Sequence, residues 1–280
     1  MPKRQFVNYN GQIKDRQEPV LPVENRAFRY ADGFFETIRM RNGKLLFFDK
    51  HFKRILLAFS VLGFRSLEVF NQEYLENEIL HLLRVNKIMK SAVVRIAFFR
   101  QSEGRYLPKQ NEWGYLIETF SQENLSYELN RKGLRIDVYE KNPKCVNELS
   151  LFKSSNSQLS VLASLFAESK RLDDVLLVNV DDEIVEATAS NVFFVKENIL
   201  YTPSLESGCV QGVMRQVIMD LAVRLHYSVV EDAVIRKGQL TDFEEIFLTN
   251  AVNGIRWVLA YRDKRYFNNV SRRLMELLNE

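Results

Sequence analysis

Glu183-Ile184-Val185-Glu186-Ala187-Thr188-Ala189-Ser190-Asn191-Val192-Phe193-Phe194 decides how this chain is read, together with Leu149-Ser150-Leu151-Phe152-Lys153-Ser154-Ser155-Asn156 upstream of it. The first run alternates like a strand, and that alternation puts the carboxylate of Glu186 on one sheet face with Thr188. The second run sets one cation, Lys153, between an apolar flank and small polar residues. A lone lysine is usually a surface charge. Partial desolvation by Leu149, Leu151 and Phe152 would make its amine more available for chemistry.

The composition frames these two groups. The chain has 280 residues, 46% hydrophobic and 27% charged, enough for one large or two medium domains. Its formal charge of +3 comes from mixed signs spread along the chain, which gives no basic tract for nucleic acid. The two cysteines, Cys145 and Cys209, are far apart and form no CxxC, so they read as reduced thiols. His51, His81 and His226 stand singly, so no metal centre is expected. The basic N-terminus lacks an apolar stretch after it, so no signal peptide is expected. No apolar run approaches the ~20 residues of a membrane span. A cytoplasmic location is the expectation.

Hydrophobic periodicity predicts the elements. Phe34 to Phe48 reads as a hairpin about Asn42-Gly43, a type I′ turn sequence, with Asp49 capping the helix that follows. Leu67 to Ile88 reads as an amphipathic helix, and Val93 to Phe99 and Tyr115 to Phe120 as strands. In the second half, strands are predicted at Leu134 to Glu140, Val175 to Val180, Ile184 to Val195 and Glu245 to Thr249. Helices are predicted at Leu159 to Lys170 and Gln211 to Tyr227. The polar stretch Ser121 to Lys132 marks the expected division, with one α/β domain over 1–121 and another over 122–280.

In order and spacing, Lys153, Glu186 to Phe194, Tyr201-Thr202-Pro203 and Gly212-Val213-Met214-Arg215 resemble the C-terminal half of class IV aminotransferases. Tyr30-Ala31-Asp32-Gly33-Phe34-Phe35-Glu36-Thr37-Ile38-Arg39 and His51-Phe52-Lys53-Arg54 resemble the N-terminal signatures of the same family. The resemblance implies an α/β (α+β type), two-domain fold-type IV architecture like that of D-amino acid aminotransferases. It implies pyridoxal 5′-phosphate (PLP) as cofactor, bound by the C-terminal domain, a small-molecule amino substrate, and a homodimer. Lys153 then carries the catalytic amine, and Glu186 holds the proton on the pyridine nitrogen. Arg54 and the helix start at Val213 and Met214 hold the phosphate, helped by Asn250 and Ala251. Asn191 lies in the matching Glu-to-Asn string and joins the cofactor set. Many relatives place a threonine where Met214 stands, so here the backbone alone would serve.

Branch assignment rests on fewer residues. Branched-chain and D-amino acid aminotransferases commonly carry tyrosine near Phe35. The branched-chain enzymes read Gly-Thr-Ala-Ala where this chain has Thr249-Asn250-Ala251-Val252. The Asn-Ala pair, Lys153-Ser154-Ser155-Asn156 and Gly212 to Gln216 resemble aminodeoxychorismate lyase. Arg100 and Arg105 resemble the arginine-bearing strand and loop of the lyase and D-amino acid branches, where guanidinium would take a substrate carboxylate. With Phe35 they form the expected substrate set. The leading expectation is a 4-amino-4-deoxychorismate lyase releasing pyruvate and 4-aminobenzoate. The alternatives are an amino-acid transaminase and a non-catalytic PLP-binding homologue. Arg256-Trp257 departs from relatives, which usually place proline near there.

Overall fold

Asn-Gly pairs shape the start of the chain. β1 (Phe6–Tyr9) and β2 (Gln12–Asp15) turn through Asn10 and Gly11, both at positive φ. After the short α1 (Arg26–Tyr30), β3 (Gly33–Arg41) and β4 (Lys44–Leu45) turn through Asn42 and Gly43, again at positive φ, as a type I′ turn requires. The computed structural model describes residues 5–65 and 70–280. It divides into two units, Met1–Leu125 with Phe152–Asn156, and Ser126–Leu151 with Ser157–Glu280.

The first unit continues with α2 (Phe48–Leu62), α3 (Gln72–Val85), β5 (Ser91–Arg100) and β6 (Trp113–Ser121). Its strands form a sheet in the order β2-β1-β6-β5-β3-β4, antiparallel throughout the pairs β1–β2, β1–β6, β3–β4, β3–β5 and β5–β6. Phe34, Glu36, Ile38 and Met40 alternate on the buried face of β3. An aromatic cluster of Phe34, Phe59, Phe64, Phe70, Phe98 and Trp113 fills this core with offset and edge-on contacts. Each such pair contributes about 0.5–1.5 kcal/mol beyond burial of its area.

Two helix starts differ from the sequence reading. Phe47, in the left-handed region, caps α2, so Asp49 falls inside the first turn, where its charge suits the helix dipole. Asn71 caps α3 by accepting the Tyr74 amide at 2.8 Å, so the helix is shorter than Leu67 to Ile88. Residues 66–69 of that expected helix lie outside the described residues.

The second unit is built on β7 (Leu134–Lys144), α4 (Gln158–Ser169), β8 (Asp174–Asn179), β9 (Ile184–Ala187), β10 (Asn191–Lys196) and β11 (Ile199–Pro203). It continues through α5 (Val213–Arg224), β12 (Ser228–Ala233), β13 (Glu245–Asn250), β14 (Gly254–Tyr261), β15 (Lys264–Arg265) and α6 (Asn269–Asn279). The sheet order is β12-β11-β10-β13-β14-β7-β8-β9, with β15 beside β14. Pairs β7–β8, β7–β14 and β11–β12 are parallel. One core of Leu134, Ile136, Leu176, Val192, Phe194 and Leu248, among others, underlies this sheet.

The single strand expected over Ile184 to Val195 is two strands. The Thr188 hydroxyl donates to Asp174 Oδ1 at 2.7 Å, and the Ala187 amide bonds the Ser190 carbonyl across the turn. Alternation therefore stops at Ala187, and Thr188 does not continue the face of Glu186. Residues 152–156 also differ from a single cut at 121/122, because they belong with the first unit. Ser154 bridges Phe34, and Phe152 packs edge-on to Phe34 at 5.8 Å. Among the described residues, no helix is long and apolar enough to cross a membrane.

Candidate active site

In the first unit, Lys153 is placed by backbone pairing. The Phe35 amide donates to the Lys153 carbonyl at 2.9 Å, and the Ser155 amide donates to the Gly33 carbonyl at 3.0 Å. The segment thus lies along the start of β3 as a short extra edge. It carries the Lys153 ammonium over the Phe35 ring at 5.1 Å, while Arg95 covers the same ring at 3.9 Å. Phe35 is half-buried and offers these cations a π face with no hydroxyl. Gly33 is required here, since a Cβ would lie 2.2 Å from the Phe98 carbonyl oxygen.

Arg54 sits on the buried side of the same strand. Its Nε and Nη2 donate to Glu36 at 2.7 and 2.8 Å, and His51 Nδ1 lies 2.8 Å from Glu36 Oε2. Burial alone would raise the Glu36 carboxyl, but the charge of Arg54 and the hydrogen bonds from His51 and Arg54 outweigh it. Together they hold Glu36 well below the usual carboxylate range. Burial pushes His51 below its ordinary value, so the ring is neutral and Nδ1–H donates to Glu36; its Nε2 has no hydrogen-bond partner.

Sequence reading assigned Arg54 to the phosphate and gave no role to Glu36, the carboxylate that orients it. The signal was present: Glu36 falls in step with Phe34 and Ile38 on an apolar face, and a carboxylate there needs a buried cation. Because its folded value is depressed, Glu36 contributes stability above the ordinary carboxylate range and loses it as pH falls toward the folded value. Arg54→Ala leaves this carboxylate without its guanidinium and is expected to cost about 3–5 kcal/mol of stability in urea melts of the cofactor-free protein. A cost within ~1 kcal/mol would show that the pair is not the buried anchor described here.

Arg100 and Arg105 stand elsewhere in this unit. Each nitrogen of Arg100 already has a protein acceptor: Nε on Asp32 at 3.1 Å, Nη1 on Asn111 at 2.6 Å, and Nη2 on the Leu62 carbonyl at 2.7 Å. These bonds use three of the five guanidinium N–H donors and hold Arg100 in place. The Arg105 side chain is exposed, and its carbonyl accepts from Arg26 Nη1 at 2.5 Å. Arg26, Tyr30, Asp32, Arg100, Tyr106 and Pro108 line a shallow cavity at this place.

The second unit gathers the other expected residues. Glu186 on β9 accepts the Val210 amide on Oε2 at 3.0 Å and pairs through Oε1 with the Lys144 ammonium. Asn191 opens β10 and donates through Nδ2 to the Val210 carbonyl at 2.8 Å. Its Oδ1 leaves room only for glycine at 212, where a Cβ would sit 1.8 Å away. Gly212 caps α5 with no side-chain hydrogen bond, so the N–H groups of Val213 and Met214 open the helix without a side-chain acceptor. Arg215 is not part of this set, because its Nη2 is spent on the Pro203 and Glu231 carbonyls.

Asn191 pairs with Thr249 across β10 and β13, which brings the 249–251 loop alongside. Asn250 folds that loop with its own side chain. Oδ1 accepts the amides of Val252 and Asn253 at 3.1 and 2.9 Å, and Nδ2 donates to Ser190 Oγ at 3.0 Å. The Ala251 carbonyl accepts the Tyr127 hydroxyl at 3.0 Å. Thr249 Oγ1 is buried without a hydrogen-bond partner. Lys144 had no signal in the sequence that set it apart, and Thr249 stood in the loop string read against relatives without a role of its own.

The model of amino-transferase class IV matches residues 33–261. The D-alanine aminotransferase of Bacillus licheniformis is 23% identical over 248 residues, which cover 87% of this chain and 84% of that protein. The aminodeoxychorismate lyase of Vibrio harveyi is 27% identical over 243 residues, 84% of this chain and 85% of that protein. Among solved structures, the branched-chain amino acid aminotransferase from Thermobaculum terrenum in its PLP form aligns at a TM-score of 0.83 and 17% identity. That alignment covers 99% of this chain and 94% of the other, and the likeness is one of fold. With both signature halves inside the matched span, the chain belongs to the amino-transferase class IV family of enzymes.

Proposed function

We propose that this chain is a PLP-dependent lyase that converts 4-amino-4-deoxychorismate to 4-aminobenzoate and pyruvate. Family membership and the PLP form of the Thermobaculum terrenum structure support the cofactor. Two features of this chain fit an anionic ligand of that kind: the helix start at Gly212 that no side chain caps, and the buried, unpartnered Thr249 hydroxyl. Arg54, Val213, Met214, Asn250 and Ala251 would hold the phosphate, with Asn191 shaping the turn at Gly212. Glu186 would face the ring nitrogen.

When bound, the cofactor supplies an electron sink for the carbon that bears the substrate's amine. Lys153 would carry the cofactor and, freed by the substrate amine, would take the proton from that carbon and give it to the departing enolpyruvyl group. Glu186 would balance the charge on the ring nitrogen. Arg95 and Lys153 both lie against the Phe35 ring, at 3.9 and 5.1 Å from its centroid.

The observation that carries the lyase reading is Thr249-Asn250-Ala251. There Asn250 organises the loop, its Oδ1 accepting the amides of Val252 and Asn253 and its Nδ2 donating to Ser190 Oγ. The relatives do not decide the branch by themselves, since lyase and transaminases match at similar identity. The products of the lyase reaction together contain all the atoms of the substrate, so no oxo acid is consumed. The expected result is steady pyruvate release from aminodeoxychorismate with no oxo acid added. If that substrate is inert while an amino acid converts the bound cofactor once and then needs an oxo acid, the enzyme is a transaminase.

A further inference from the structure

Lys144 ends β7, and an irregularity in the β7–β8 ladder delivers it. Tyr139 pairs with Leu177 and Lys144 pairs with Asn179, so Glu140 to Pro143 all lie opposite Val178 alone. A bulge of this kind redirects the side chains that follow it. The redirected Lys144 side chain is 15% exposed and lies against Glu186, 12% exposed, with its ammonium on Oε1. The Val210 amide holds Oε2. The carboxylate therefore already has one full positive charge and one backbone donor from its own unit.

A carboxylate offers about four acceptor positions, so these two bonds leave room for a third donor. A protonated ring nitrogen arriving as that donor would share the single negative charge of Glu186 with Lys144. Two cations on one carboxylate leave net positive charge, and a like charge close by disfavours the protonated form. We infer that Lys144 is a positioning residue for Glu186, fixing its carboxylate from Oε1 and limiting how strongly the cofactor's ring nitrogen retains its proton. This rests on the proposed PLP site and assigns the strength of its electron sink to a residue outside the family signatures read above.

Other groups at this place do not substitute for Lys144. The Cys209 thiol, which Glu186, Arg215 and Lys144 all influence, is pushed up to about 11 by burial first and by Glu186 second, so it stays neutral near neutral pH. Arg215 keeps its charge there and is tied to the Pro203 and Glu231 carbonyls. Asn179, opposite Lys144, is neutral and donates to Glu183 and the Ser207 carbonyl.

The test compares wild type, Lys144→Gln and Lys144→Arg, each reconstituted with PLP, by the absorbance of the bound cofactor across pH. Lys144→Met serves as a second neutral variant should Lys144→Gln fold poorly. Removing the charge is expected to raise the midpoint of the spectral change by about one pH unit, while Lys144→Arg stays near wild type. An unmoved midpoint in both neutral variants overturns the inference while leaving the PLP reading standing. A wild-type protein that takes up no cofactor overturns both.

Discussion

Lys153→Ala is expected to lower turnover by about 10⁴-fold, the upper end of what a positioned acid–base group contributes, because in the proposed mechanism the same amine would also anchor the cofactor. Loss of the cation–π contact with the Phe35 ring is expected to cost about 0.5–1 kcal/mol of stability at this partly exposed position. The pair of measurements is steady-state product formation and a urea melt. Turnover within ~10-fold of wild type would remove Lys153 from the chemistry. A large loss of stability would make it a structural residue instead.

Glu186→Gln is expected to lower turnover by about 100-fold with cofactor saturating, since a neutral amide cannot balance a protonated ring nitrogen. The same change strips Lys144 of its counter-charge, so a drop in stability should accompany it. Turnover must therefore be measured where the variant is folded. A drop in stability with near-normal turnover would assign Glu186 to the Lys144 pair alone and end the electron-sink role.

Much of this was readable from residue patterns because the pattern is local. Asn42-Gly43 needs only its own φ angles to make a hairpin, and the alternation in β3 fixes which side chains enter the core. The break at Thr188 was not readable, because it depends on Asp174, fourteen residues upstream, capturing the Thr188 hydroxyl. The place of residues 152–156 was hidden for the same reason. A five-residue edge pairs with β3 more than a hundred residues earlier in the chain. Long-range partners leave no periodicity.

The site divides along the same line. Lys153 and Glu186 stood out by type and neighbours. Lys144 did not, since it becomes significant only through the bulge in β7. Arg256-Trp257, unexplained as sequence, has a packing role. Trp257 bonds Asn130 through its amide and indole nitrogens, and its ring lies so close to Gly133 that a Cβ there would be 2.6 Å away. Arg256 reaches toward Asp174 at 3.9 Å.

Borohydride reduction of the protein loaded with PLP, followed by digestion and peptide mass spectrometry, tests the central claim most directly. Reduction fixes the cofactor to whichever amine holds it. The account predicts a pyridoxyl phosphate adduct on the peptide containing Lys153 and on no other. An adduct on another lysine, or cofactor that binds and leaves no adduct at all, would contradict it.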